Sequence, residues 1–412
     1  MRRTHRWVLA IATCAFAGAL TITTATDGRL SALPRQAPAP ASNPTSPARV
    51  ALGRVLFWDP ILSGSRDVAC ATCHHPDFGY SDGRDLPVGI NAVGLGPSRV
   101  GVAESAVQPV RRNSQTVLNV AFNGLTADSP SDPSAAPMFW DLRARSLESQ
   151  ALEPIKAYDE MRGDAYAEAA AVPTVVSRLA ANKEYRALFA DAFGGHDPVN
   201  AVNLGRALAA FERMLVSVNA PFDRYMRGER EAMTTDQVRG MERFEVSGCA
   251  NCHSGPMFSD YKPHVLGVRD NARLSDSDSG AGGSYAFRTP SLRNVQLTGP
   301  YMHNGVFASL DEVLGFYRRV SRGGGRGRGR GGQRSLNPNV ASDDLDPLLR
   351  QLNMRGRGQR DIIAFLRALD DPDFDRAIPA RVPSGLQVGG RLDRRDSELQ
   401  VGLGQQPALE PF

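Results

Sequence analysis

Four of the five cysteines in this 412-residue chain fall in two copies of one pattern, "CATCH" (70–74) and "CANCH" (249–253). In C-x-x-C-H, one turn of chain sets two thiols against the two vinyl groups of a porphyrin. The thiols form thioethers, and the adjacent histidine reaches the iron from one face. Three other readings compete. A disulfide scaffold needs a small, cysteine-dense chain. A thioredoxin-like pair has no use for His74 and His253 immediately after the motif. A zinc site would pair cysteines across the motifs and again leaves the histidines unexplained. The residues therefore point to two covalently attached haem c groups. Cys70, Cys73 and His74 would hold the first, and Cys249, Cys252 and His253 the second.

Each iron has a second axial position, and its occupant separates electron transfer from chemistry on a substrate. The chain offers His5, His74, His75, His196, His253, His264 and His303. His5 lies in the leader, His75 is too close to its own motif, and no histidine falls between His75 and His196. The first haem is thus expected to lack a distal histidine, leaving a position where hydrogen peroxide can bind. For the second haem, Met302 and His303 sit in an expected loop and Tyr317 in an expected helix, "SLDEVLGFY" (309–317), capped by Ser309 and Glu312. Leu310, Val313, Leu314 and Tyr317 recur at i, i+3, i+4 and i+7, so Tyr317 faces inward. Periodicity alone favours a buried tyrosine with a hydrogen-bonded hydroxyl over a phenolate ligand.

The elements that must position these groups are mainly helical. "RVALGRVLFWDPILS" reads as a short helix and turn. "NAVNLGRALAAFERMLVSV" reads as a helix with Leu204, Leu208, Phe211, Leu215 and Val218 on one stripe. "TTDQVRGMERF" opens on a Thr234/Gln237 capping box, and "DIIAFLRAL" gives a further apolar-faced helix. Strand signals are sparse. The fold class is mainly α: two cytochrome c-like domains, each with one haem c, joined by long loops. Residues 47–220 form the first and 221–376 the second.

Residues 1–26 carry Arg2, Arg3 and Arg6 before an apolar run, which marks an export signal and a periplasmic location. The alternative is an uncleaved anchor. Residues 27–46, rich in Pro, Ala and Ser, read as a flexible lead-in, and 377–412 as an extended tail. The Gly/Arg-rich stretch 321–334 cannot build a core and reads as a solvated insertion able to meet an acidic partner. The net charge of +4 is modest and does not argue for nucleic acid.

From about residue 48 to 370 the sequence resembles the bacterial di-haem cytochrome c peroxidases, including the MauG-type enzymes. The likeness rests on "LGRVLFWDPILS", both haem motifs, "RRNSQTVLNVAFN", "FWDLRARSLESQALEPI", "AFERMLVSVNAPFDRYMRGE" and "TPSLRNVQLTGPYMHNGVFASLDEVLGFY". The resemblance implies that Tyr317, fourteen residues after His303, is the second haem's distal ligand, as in the MauG branch, where the peroxidase branch has methionine. A phenolate would favour ferric and higher states. It implies that Trp140 relays electrons between the haems, where the local reading is a core aromatic. It implies that Glu160 is the distal acid/base of the first haem, where the local reading is a surface carboxylate. Gln150 and Pro154 match distal-pocket residues. Asn113, with the carbonyls of Thr298 and Pro300, matches a calcium site. His303 would be structural. Classical members carry a displaceable histidine before "RRNS", and none stands here, so a permanently open first haem is expected. The implied function is reduction of peroxide, with electrons drawn from a small donor protein or from side chains of a protein substrate. The rival is a non-enzymatic di-haem electron carrier.

Overall fold

The protein, seen in a computed structural model, is described over residues 29–102, 108–321, 334–354 and 358–391. The expected export signal (1–26), nearly all of the Gly/Arg-rich insertion and the end of the tail lie outside these residues.

Helix α1 (Pro47–Phe57) starts where Ser46 accepts a hydrogen bond from the Arg49 amide and Pro47 supplies a preset φ. It crosses α7 (Ala201–Glu212), which Asn200 caps. The crossing is close because α1 has a glycine there. A Cβ on Gly53 would lie 2.0 Å from the Ala207 carbonyl oxygen and 2.8 Å from Phe211 Cβ. Phe57 closes it edge-to-face on Phe211, ring centroids 5.2 Å apart. The same device recurs between α9 (Thr235–Val246) and α11 (Gln359–Arg367). A Cβ on Gly240 would lie 2.0 Å from the Asp361 carbonyl oxygen and 2.8 Å from Phe365 Cβ. Phe244 meets Phe365 at 5.3 Å. Gly53 and Phe57 thus correspond to Gly240 and Phe244, and Ala207 and Phe211 to Asp361 and Phe365. Each crossing precedes or flanks one C-x-x-C-H motif.

The other helices are α2 (Cys70–Cys73), α3 (Leu147–Gln150), α4 (Glu153–Lys156), α5 (Ala171–Ala181), α6 (Lys183–Phe193), α8 (Pro221–Met226) and α10 (Leu310–Val320). Sheet among the described residues is confined to three antiparallel pairs: β1 (Ala92–Val93) with β2 (Val100–Gly101), β3 (Pro137–Met138) with β4 (Ala144–Arg145), and β5 (Pro263–Val265) with β6 (Ala286–Arg288). The helix-rich, sheet-poor class read from the sequence is what the chain forms. The expected capping box of α9 is present in both directions, with Gln237 N–H on Thr234 and Thr234 N–H on the Gln237 side chain. The helix expected over 200–218 stops at Glu212. Beyond it, Asn119 takes over the backbone: its side chain accepts from the Ser217 amide at 2.8 Å and donates to the Ser217 carbonyl at 3.0 Å. That pairing holds the segment out of the helix, although Leu215 stays buried.

Apolar side chains gather in two main clusters. One runs from Leu52 to Leu215, and the other from Phe222 to Leu369. The chain ends cross between them. Leu30, in the lead-in expected to be flexible, packs in the second cluster, and the Leu33 amide donates to Asp223 at 2.9 Å. Conversely Phe374, Val382 and Val388 complete the first cluster. In the tail expected to be extended, residues 377–391 form no helix or strand but are packed. Ser384 donates from its amide and hydroxyl to Asp59, which also accepts from Tyr185 at 2.5 Å. A few spaced leucines and valines suffice to seat an irregular segment that has no periodicity.

Candidate functional site

Both C-x-x-C-H motifs open into one continuous cavity with about 3070 Å³ of unfilled space, its mouth included. Cys70, Cys73, His74, Cys249, Cys252 and His253 all line it, and the four cysteines are unpaired. Burial pushes the Cys73 and Cys249 thiols up to about 12 and Cys70 higher still, so all three remain neutral. Each motif histidine turns its Nδ1 to a backbone carbonyl, His74 to Tyr80 at 3.2 Å and His253 to Phe258 at 2.9 Å. That bond fixes the proton on Nδ1 and leaves the Nε2 lone pair free for a metal. Burial lowers both imidazoles, favouring the neutral, ligating form. Paired thiols, a free imidazole nitrogen and a large apolar space fit two haem c groups.

Next to the first motif, the cavity wall carries Gln150 and Pro154 from α3 and α4, and Glu160 from the π-helical turn Tyr158–Arg162. Glu160 is held up to about 7 by burial and then by the neighbouring Asp159 charge, against the opposing Arg143 guanidinium. The β3–β4 hairpin supplies Trp140 and Arg143 from a tight loop in which Phe139 and Leu142 both adopt left-handed backbone, with φ of 62°. Non-glycine residues pay strain there, a cost common where side chains must be aimed. The Trp140 Nε1–H donates to the Asn113 carbonyl at 3.0 Å, and Arg143 lies 3.6 Å over the Phe139 ring. Asp141 between them joins Arg112 at 2.6 Å and Arg143 at 3.0 Å.

Next to the second motif, α10 presents Tyr317. Ser309 accepts from the Glu312 amide at 3.2 Å, and Glu312 accepts from the Ala308 amide at 3.0 Å. Leu310, Val313, Leu314 and Tyr317 all line the cavity, as their spacing implied, while Phe316 and Val320 turn into a separate small cluster. Burial raises the Tyr317 phenol, with Cys252 and Cys249 adding to it. Met302 and His303 also line the cavity. His303 stacks on Phe287 at 3.6 Å and 9°, and burial lowers it to about 3. Asn113 donates to the Arg84 carbonyl at 2.7 Å and shares the cavity wall with Thr298 and Pro300. His75 packs on Trp58 away from the cavity, and His196 is exposed.

Sequence reading did not single out three wall residues: His264, Arg143 and Glu212. His264 lies between two carboxylates, Asp346 at 2.6 Å and Asp260 at 3.0 Å. Despite the cost of burial, Asp260, Cys252 and Asp346 raise it to about 11. The donor atoms of Cys252, Asp260 and His264 fall within 4.8 Å of one another. With both ring nitrogens already on carboxylates, the imidazolium has no lone pair for a metal. For Glu212 a signal existed in the sequence: a carboxylate four residues beyond Leu208, beside an apolar stripe.

Residues 47–231 match the family described as di-haem cytochrome c peroxidase. The methylamine utilization protein MauG of Methylorubrum extorquens is 37% identical over 341 residues, covering 82% of each chain. Cytochrome-c peroxidase IdrP1 of a Pseudomonas species is 33% identical, covering 81% of this chain and 83% of its own. Among solved structures, a MauG-like protein associated with microbial copper homeostasis superposes with a TM-score of 0.64 at 27% identity, over 82% of this chain and 95% of the other. The chain belongs to the di-haem cytochrome c peroxidase family, whose members are oxidoreductases acting on peroxide.

Proposed function

We propose that this protein is a periplasmic di-haem peroxidase of the MauG-like kind, with the first haem reactive towards hydrogen peroxide and the second serving electron transfer. When bound, the two haems supply a peroxide-binding iron and storage for oxidising equivalents. His74 Nε2 would hold the first iron, and His253 Nε2 with the Tyr317 phenol the second. The phenol's raised pKa means that only a cation at that oxygen would draw the proton off. Glu160 accepts a proton from bound peroxide and returns it to the leaving oxygen. Gln150 and Pro154 shape the space around Glu160. Trp140, anchored on the Asn113 carbonyl, relays electrons between the two centres. Electrons come from a small donor protein or from side chains of a protein substrate. Asn113, with the carbonyls of Thr298 and Pro300, would hold calcium.

The observation that carries this reading is the make-up of the wall around the first motif. It offers Glu160 but no second histidine free to ligate: among the described residues, the other lining histidines are His253, His264 between its carboxylates and His303 on Phe287. Electron paramagnetic resonance of the oxidised holoprotein tests it. One high-spin and one low-spin haem is expected; two low-spin signals would point to an electron carrier.

A further inference from the structure

The two helix crossings are equivalent residue by residue, and that equivalence exposes one substitution. Gly53 rests on Ala207 and Phe211, as Gly240 rests on Asp361 and Phe365. The register then sets Leu208 against Ile362, and Glu212 against Leu366. All four side chains line the cavity. Where the second half presents a leucine to its haem space, the first presents a carboxyl.

That carboxyl is not tied up in a structural ion pair. Glu212 is 5% exposed, and its Oε2 has no hydrogen-bond partner. The adjacent Arg213 is engaged with Glu148 at 2.7 Å instead. Burial lifts Glu212 to about 8, with Arg213 opposing and Glu148 adding, so it carries its proton at neutral pH. Burying an unpartnered carboxyl costs stability that a leucine would not. A costly group held at a cavity wall, in one half only, marks a functional position.

We propose that Glu212 is a second acid of the first haem's pocket, its buried carboxyl at the cavity wall supplying a proton for the reduction of peroxide to water. The inference rests on the reading that the first centre is the peroxidatic one. Reducing one peroxide to two waters breaks the O–O bond and takes up two electrons and two protons. The electrons come from the donor. Glu160 moves a proton already on peroxide from one oxygen to the other, so it supplies no net proton. Glu212 gives up one proton, becomes a carboxylate and is reprotonated from solvent; the second proton enters from solvent directly.

The test uses the holoprotein with Glu212→Gln, which keeps the shape and the hydrogen bonding, and Glu212→Leu, which copies the second half. The wild-type-minus-variant infrared difference at neutral pH should contain the deuterium-sensitive carbonyl band of a protonated buried acid for both variants. Donor-driven reduction of peroxide to water should be slowed about a hundredfold in both variants, with a melting temperature in Glu212→Leu at or above wild type. A wild-type rate in Glu212→Gln, or a difference spectrum without that band, overturns the role of Glu212. If Glu160→Gln also reacts at the wild-type rate, the assignment of the first centre has failed, and the inference with it.

Discussion

Glu160 shows how one side chain can have a local reading and a tertiary one that disagree. Its neighbours "YDEMRG" suit an exposed loop. The π-helical turn aims it into the cavity, where burial and Asp159 raise its carboxyl to about 7 from 4.5. A carboxyl whose folded pKa is raised is destabilising once ionised. The penalty is absent below the unfolded value and grows as pH rises through the folded one. Glu160→Gln should therefore melt at the wild-type temperature near about pH 4 and above it near about pH 8, by calorimetry. The same variant should react with peroxide at least about a hundredfold more slowly, and the wild-type rate should rise as pH passes through about 7, where the base form appears.

Among the elements, the paired crossings of α1 with α7 and α9 with α11 decide where the haem motifs stand. Their closeness depends on Gly53 and Gly240, where any Cβ would meet a carbonyl oxygen at 2.0 Å. Gly240→Ala should cost about 1–3 kcal/mol or more by urea unfolding, because overpacking forces the helices apart. Gly315 on α10 is the control, since a Cβ there meets nothing within 4 Å. Gly315→Ala should leave stability unchanged or raise it by up to about 1 kcal/mol, as helix propensity dictates. The sequence reading found α1, α9, α10 and α11 from periodicity and capping residues, and those local signals held. It overran α7 because Leu215 continues the stripe, while the side chain of Asn119, distant in sequence, decides the backbone at Ser217.

At the scale of the whole molecule, the ends of the chain bind the two halves together. The lead-in seats Leu30 with the second cluster, and the tail seats Val382 and Val388 in the first. Removing residues 377–412 takes away these side chains and both Ser384 bonds to buried Asp59. The truncated holoprotein should melt at a lower temperature and be cleaved faster by protease around residues 47–62, measured by calorimetry and limited proteolysis.

The paired thiols and histidines of both motifs could be read from sequence because C-x-x-C-H places these groups within five consecutive residues, where local geometry suffices. The inward face of Tyr317 followed from helical spacing for the same reason. What only the tertiary structure decided is which further distant groups share a wall: Arg143 and Glu212 beside the first motif, where the resemblance had already put Glu160, and His264 locked between Asp260 and Asp346 beside the second. These sets depend on loop backbone and helix crossing, and neither leaves a period in the sequence. A carboxyl is read as solvated until the fold buries it.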